Sequence, residues 1–163
     1  MKRIWGVLWG VLLSCIASAL TLEGTVVKVS DGDTITVLDG QRQQHKIRLN
    51  GIDAPESHQA FGRVSRRALA EMIATRAVRV DYQKTDVYGR ILGDVFFEGK
   101  NINLEMVKAG MAWHYVHFAK DHLELAHAEA EARAQKRGLW IEPHPIPPWD
   151  FRRLQKQKGK ETN

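Results

Sequence analysis

The stretch HKIRLNGIDAPE, residues 45–56, decides how the rest of the chain reads. Its first part alternates like a strand, and then Pro55 stops it. The residue before a proline is pushed out of the helical region, so Ala54 is expected to be extended. Asp53 and Glu56 therefore leave a strand end in a tight turn, with Arg48 in the strand that runs up to Asp53. Upstream, LEGTVVKV (22–29) is β-branched and roughly alternating, with Gly24 as a candidate bulge. Ile35 and Val37 alternate within DGDTITVLDG, and a turn at Asp39-Gly40 leads into QHKIRLNG. These are three short strands separated by turns.

Downstream the period changes. Val64, Ala68 and Met72, with Leu69 and Ile73, recur at helical spacing within residues 59–75. AVRVDYQ (77–83) returns to alternation. YGRILGDVFFEG (88–99) reads as a long strand turning at Glu98-Gly99. A short helix over 103–108 ends near Gly110. A longer helix is expected over 121–137, with Asp121 and Glu124 as a capping box, Ala126, Ala130 and Ala134 as its packing stripe, and Gly138 as its stop. Five short strands with a helix inserted after the third fit a five-stranded OB-type β-barrel, an α+β fold with about three helices. PHPIPPW (143–149) reads as an extended exit. The polar, basic end at RRLQKQKGKETN reads as a frayed, flexible tail.

The 163 residues suffice for one domain with a real core, and the formal net charge of +5 admits a polyanionic partner. Lys2 and Arg3 precede the apolar run IWGVLWGVLL, and an A-x-A-like site follows. That is the pattern of a secretory signal peptide, cleaved after Ala19, and the run falls short of the about 20 residues of a membrane span. A retained anchor and lipidation at Cys15, in LLSC, are the alternatives. Cleavage removes two of the 24 basic residues and no acid, leaving 22 against 19, or +3. It also removes the single cysteine, so the mature chain has neither a disulfide nor a thiol nucleophile. The mature protein is expected to be exported, to lack a stable membrane span and to be a monomer.

Two acidic motifs stand about 20 residues apart at strand ends: Asp31-Gly32-Asp33-Thr34 and Asp53-Ala54-Pro55-Glu56. Antiparallel pairing can bring them together. Clustered carboxylates repel unless a cation is present, and all-oxygen donors suit a hard ion such as Ca²⁺ or Mg²⁺. An EF-hand is excluded, because counting from Asp31 puts Arg42 at the twelfth position. Arg48 and Arg90 add planar, permanently charged forks that suit phosphate. Acids for a metal, arginines for a phosphate and a spare carboxylate to take a proton from water form a phosphodiesterase set. His117, His122 and His127, five apart, do not share a helix face and match no zinc motif. Arg63, Arg66 and Arg67 read as a solvated helix face.

DGDT (31–34), IRLNGIDAPE (47–56), TDVYGR (85–90) and VKAGMAWHY (107–115), in that order, resemble the staphylococcal nuclease (thermonuclease) family over roughly residues 22–142. The resemblance implies an OB barrel, a Ca²⁺ site, and hydrolysis of DNA and RNA to products with 3′-phosphates. It implies Asp33, Asp53 and the Ala54 carbonyl at the metal and Glu56 as general base. Arg48 and Arg90 fall on the phosphate-binding pair, and Tyr88 beside the nucleotide. Ala54 stands where the family often has threonine. The segment after Glu56 is shorter than the family's flexible loop. Trp113, Tyr115 and Phe118 are all candidates to stack on a base. Two other functions remain open from the residues: a non-catalytic OB-fold nucleic-acid-binding module, and a calcium-stabilised structural or adhesion domain.

Overall fold

The computed structural model describes residues 20–161, with the side chains of Phe118 and Glu161 excepted. The expected signal peptide and the Cys15 lipidation site lie outside the described residues. Among those described, no helix is long and apolar enough to cross a membrane.

Five strands form the barrel: β1 (Leu20–Val29), β2 (Thr34–Asp39), β3 (Gln44–Leu49), β5 (Ala77–Thr85) and β6 (Ile91–Phe97). Neighbours pair antiparallel in the order β3-β2-β1-β5-β6. The barrel closes where β3 and β6 pair in parallel, Ile47 opposite Ile91 and Leu49 opposite Gly93. Alternate residues point inward, so Val26, Ile35, Val37, Ile47, Leu49, Val80 and Val95 are all buried. Two helices cap this core. α1 (Gly62–Ile73) contributes Leu69 and Ile73, and α2 (Ile102–Lys108) contributes Met106 and Val107. A second cluster forms around Trp113, Ala132, Leu139 and Trp140, with Phe61 and Trp149 packed against it. It joins α4 (Leu123–Ala134) and a 3₁₀ turn at Gly138–Ile141 to a two-stranded ribbon of β4 (Ile52–Asp53) and β8 (Trp113–His114). The short strand β7 (Lys100–Asn101), the single-turn α3 (Val116–Ala119) and α5 (Pro148–Glu161) complete the chain.

The barrel and the inserted helix match the sequence reading, while several details differ for physical reasons. Among the described residues there are five α-helices and one 3₁₀ turn, where about three helices were expected. The bulge in β1 lies between Val26 and Lys28 and not at Gly24. Gly24 instead lies so close to β2 that a Cβ would strike the Leu38 carbonyl. On α1 the buried line runs through Ser65, Leu69 and Ile73, leaving Val64 48% exposed. α4 buries Leu125, Ala128 and Ala132, whereas Ala126, Ala130 and Ala134 face solvent. Alanine is small on either face, so an alanine repeat alone cannot set the phase of a helix. No side chain caps α4: His122, not Asp121, precedes it, and the helix ends before Gly138. β6 begins at Ile91, after a turn that holds Tyr88, Gly89 and Arg90. The expected frayed end is helical from Pro148, because proline at the first position with Asp150 in the first turn starts a helix well.

Asn103 fastens the cap to the barrel. Its Oδ1 accepts from the Val95 amide at 3.0 Å, and its Nδ2 donates to the Asn50 and Gly93 carbonyls at 2.9 and 3.1 Å. It thus ties α2 and β6 to the turn that leads into Asp53. Asn103→Ala is expected to destabilise the fold by about 2–3 kcal/mol, since buried backbone groups lose their partners. Urea unfolding measures this, and a loss below about 0.5 kcal/mol would show that water replaces the amide.

Candidate active site

The site grows from the turn in the opening stretch. β3 ends at Leu49, so Arg48 and Asp53 are not in one continuous strand. The chain turns through Asn50 and Gly51, which has φ +74°, and re-enters extended geometry as β4. There Asp53 sits opposite Trp113 of β8. Arg48 bridges the turn from inside. Its Nη1 donates to the Leu49 and Ile52 carbonyls, each at 2.8 Å, and its Nη2 meets Asp53 Oδ1 at 2.9 Å and Asp33 Oδ2 at 3.1 Å.

Asp33 arrives from the other motif. The Asp31 carboxylate accepts from the Asp33 amide, which shapes the DGD turn. Gly32 passes so close to Ser65 of α1 and to Ala54 that no side chain would fit there. Asp33 Oδ2 then accepts from the Ala54 amide at 2.6 Å, and its Oδ1 accepts from the Thr34 hydroxyl at 3.1 Å. The two acidic motifs are therefore stitched together, as the antiparallel reading expected. Burial pushes the Asp33 carboxyl up to about 7; Arg48 pulls it back only in part, and Asp31 and Asp53 push it further up.

Glu56 stands at the end of the Ala-Pro turn, its backbone amide donating to the Gln59 side chain at 3.1 Å. A residue the sequence reading left in the tail connects it to the pair. Arg152 of α5 donates through Nη1 to Glu56 Oε1 at 2.7 Å, and through Nη2 to Asp53 Oδ2 at 2.7 Å. A longer bond of 3.3 Å joins Nη1 to Asp53 Oδ1. Asp33, Arg48, Asp53 and Glu56 thus form one connected cluster with Arg152. The helix-start pair Pro148 and Asp150 was the signal that could have placed Arg152 on a structured element.

Arg90 and Tyr88 stand apart from this network. Asp86 accepts from the Tyr88 and Arg90 amides, each at 2.9 Å, and from Arg90 Nε at 2.7 Å. The Arg90 guanidinium lies 5.6 Å from the centre of the Tyr88 ring, which is 81% exposed. Their turn opens into β6, where Leu92 is the register partner of Arg48. Arg90 is thus carried to the barrel end beside the strand of Arg48, without a bond to the acids. Ala54 is buried. Among the described residues, no group of three His, Cys, Asp or Glu side chains is gathered to hold an ion unaided. Two carboxylates and a backbone carbonyl fit a hard cation that keeps much of its water shell.

Comparison with known proteins decides the family. The family described as "Staphylococcal nuclease homologue" matches residues 46–142, more than half of the chain. The chain belongs to the staphylococcal nuclease family. Relatives agree over most of its length. An uncharacterized endonuclease of Escherichia coli is 47% identical over 132 residues, 80% of this chain and 85% of the relative. A micrococcal nuclease of Shigella flexneri is 41% identical over 156 residues, 90% of this chain and 89% of the relative. A probable staphylococcal-like nuclease of rice is 37% identical over 137 residues, 84% of this chain but 34% of that longer protein. The closed five-stranded barrel is the architecture expected of a staphylococcal nuclease homologue, and the matched span runs from β3 to the 3₁₀ turn. It ends before α5, so the match does not reach Arg152.

Proposed function

We propose that the protein is an exported, Ca²⁺-dependent nuclease that cuts DNA and RNA and leaves 3′-phosphate ends. Family membership carries the broader class, a hydrolase acting on the phosphodiester bonds of nucleic acid. The observation that most supports the finer reading is the meeting of Asp33 and Asp53 on one arginine nitrogen, with Glu56 one guanidinium away. Asp33, Asp53 and the Ala54 carbonyl would hold the ion. Bound there, it would supply positive charge to the phosphoryl oxygens.

The chain's own groups do the rest. Glu56 is the carboxylate left over once two acids are committed, and it takes the proton of the attacking water. Arg48 and Arg90 carry charge that no working pH removes, and they stabilise the oxyanion that builds on phosphorus. Tyr88, exposed on its turn, is placed to lie along the nucleotide. The basic leader before Ala19 supports export.

Single-stranded DNA with added Ca²⁺ is expected to be hydrolysed, and a chelator is expected to abolish the cleavage. Cleavage that persists in chelator removes the metal from the reading. End-group analysis giving 5′-phosphates instead would place the broken bond on the other side of phosphorus.

A further inference from the structure

We infer that Arg152, on α5, occupies the place of the divalent cation, so that an incoming ion has to displace this arm of the chain. The inference rests on the cation reading above. Each Asp53 oxygen already holds a guanidinium nitrogen: Oδ1 meets Arg48 at 2.9 Å, and Oδ2 meets Arg152 at 2.7 Å. The same Arg152 fork holds Glu56 at 2.7 Å. A Ca²⁺ ion sits about 2.3–2.6 Å from a carboxylate oxygen. On Asp53 Oδ2 it would therefore press against a second positive charge already bound to that oxygen. The two cations therefore compete for the same carboxylate.

The arm is held by more than charge. The Trp149 ring stacks on Tyr115 at 5.3 Å, and Phe151 packs on His58 at 5.2 Å. The Gln59 side chain donates to the Ile146 carbonyl at 2.6 Å. These contacts fix the arm to the loop that carries Glu56 and to an aromatic that the sequence marked as a base-stacking candidate. The first turns of α5 thus cover both the acids and a ring beside them. The Arg152 side chain is 41% exposed, which leaves an incoming ion a route to the pair.

The test is calorimetric titration of Ca²⁺ into the chelator-stripped full chain. Arg152→Gln is expected to bind the ion about tenfold more tightly, because a tethered competitor is gone. Arg153→Gln, whose partner is Asp150, is expected to match the parent. Hydrogen exchange on the unmodified protein gives a second readout that does not depend on the variant folding: amides near Arg152 are expected to exchange faster once Ca²⁺ is bound. Equal or weaker Ca²⁺ binding by Arg152→Gln overturns the inference and makes the arginine a brace for the acids. Unchanged exchange in α5 at saturating Ca²⁺ also overturns it. Absence of Ca²⁺ binding by both parent and variant overturns the cation reading itself, and this inference with it.

Discussion

Glu56→Gln is expected to fold like the parent and to hydrolyse DNA about 10²–10⁴-fold more slowly, the usual contribution of a positioned general base. Glutamine keeps the shape of the side chain and an oxygen that can accept from Arg152, so the bond that links the turn to α5 survives. What disappears is the ability to take a proton. The loss should fall on kcat rather than on KM, because the group acts on water as the bond breaks. The check pairs initial rates on single-stranded DNA with thermal unfolding of the same preparation. Near-parental turnover in a folded variant would remove Glu56 as the base.

The second large effect is expected at Arg48. Its forked head serves four acceptors: two carbonyls of the Asn50 turn and the carboxylates of Asp33 and Asp53. With its side chain 14% exposed and both acids nearly inaccessible, Arg48→Ala leaves two buried carboxylates without their shared cation. Removing one partner of a buried ion pair costs about 3–5 kcal/mol. Arg48→Lys should recover only part of this, since a single ammonium cannot reach four acceptors arranged around a planar fork. Urea unfolding in chelator tests the size of the loss. Addition of Ca²⁺ should restore stability to Arg48→Ala more than to the parent, because the ion takes over the neutralising task. A loss under about 1 kcal/mol would mean that the acids are neutralised by protonation instead. Nuclease rates should fall in both variants, with alanine the slower.

The barrel was legible because alternation and turn residues coincide along the first three strands. The period also changes sharply once the chain passes Pro55. The acid motifs were legible for a related reason: each sits where a strand stops, so pairing the strands pairs the acids. The contacts Arg48 makes with its own turn were not, because strand alternation says nothing of what a guanidinium meets beyond the strand. The phase of α4 was hidden by alanine, which is small enough for either face, so Leu125 and the tryptophan cluster decide it. Arg90 reads as a strand residue by composition, but Asp86 accepts its amide and closes a turn instead. α5 was concealed by charge. Five lysines and arginines after Pro148 resemble a solvated tail, and only its tertiary partners, Trp113, Tyr115, His58 and the acids, give one turn of it a reason to be fixed.

The pairing of Asp53 with Trp113 sets an order of events. β2 and β3 can meet as a local hairpin, but β4 has no partner until β8 exists, and the closing seam needs β6 as well. Contacts between distant segments form late, because the intervening chain must first be brought to order. A polypeptide that is still being synthesised therefore carries the ingredients of a cutting centre without the centre itself.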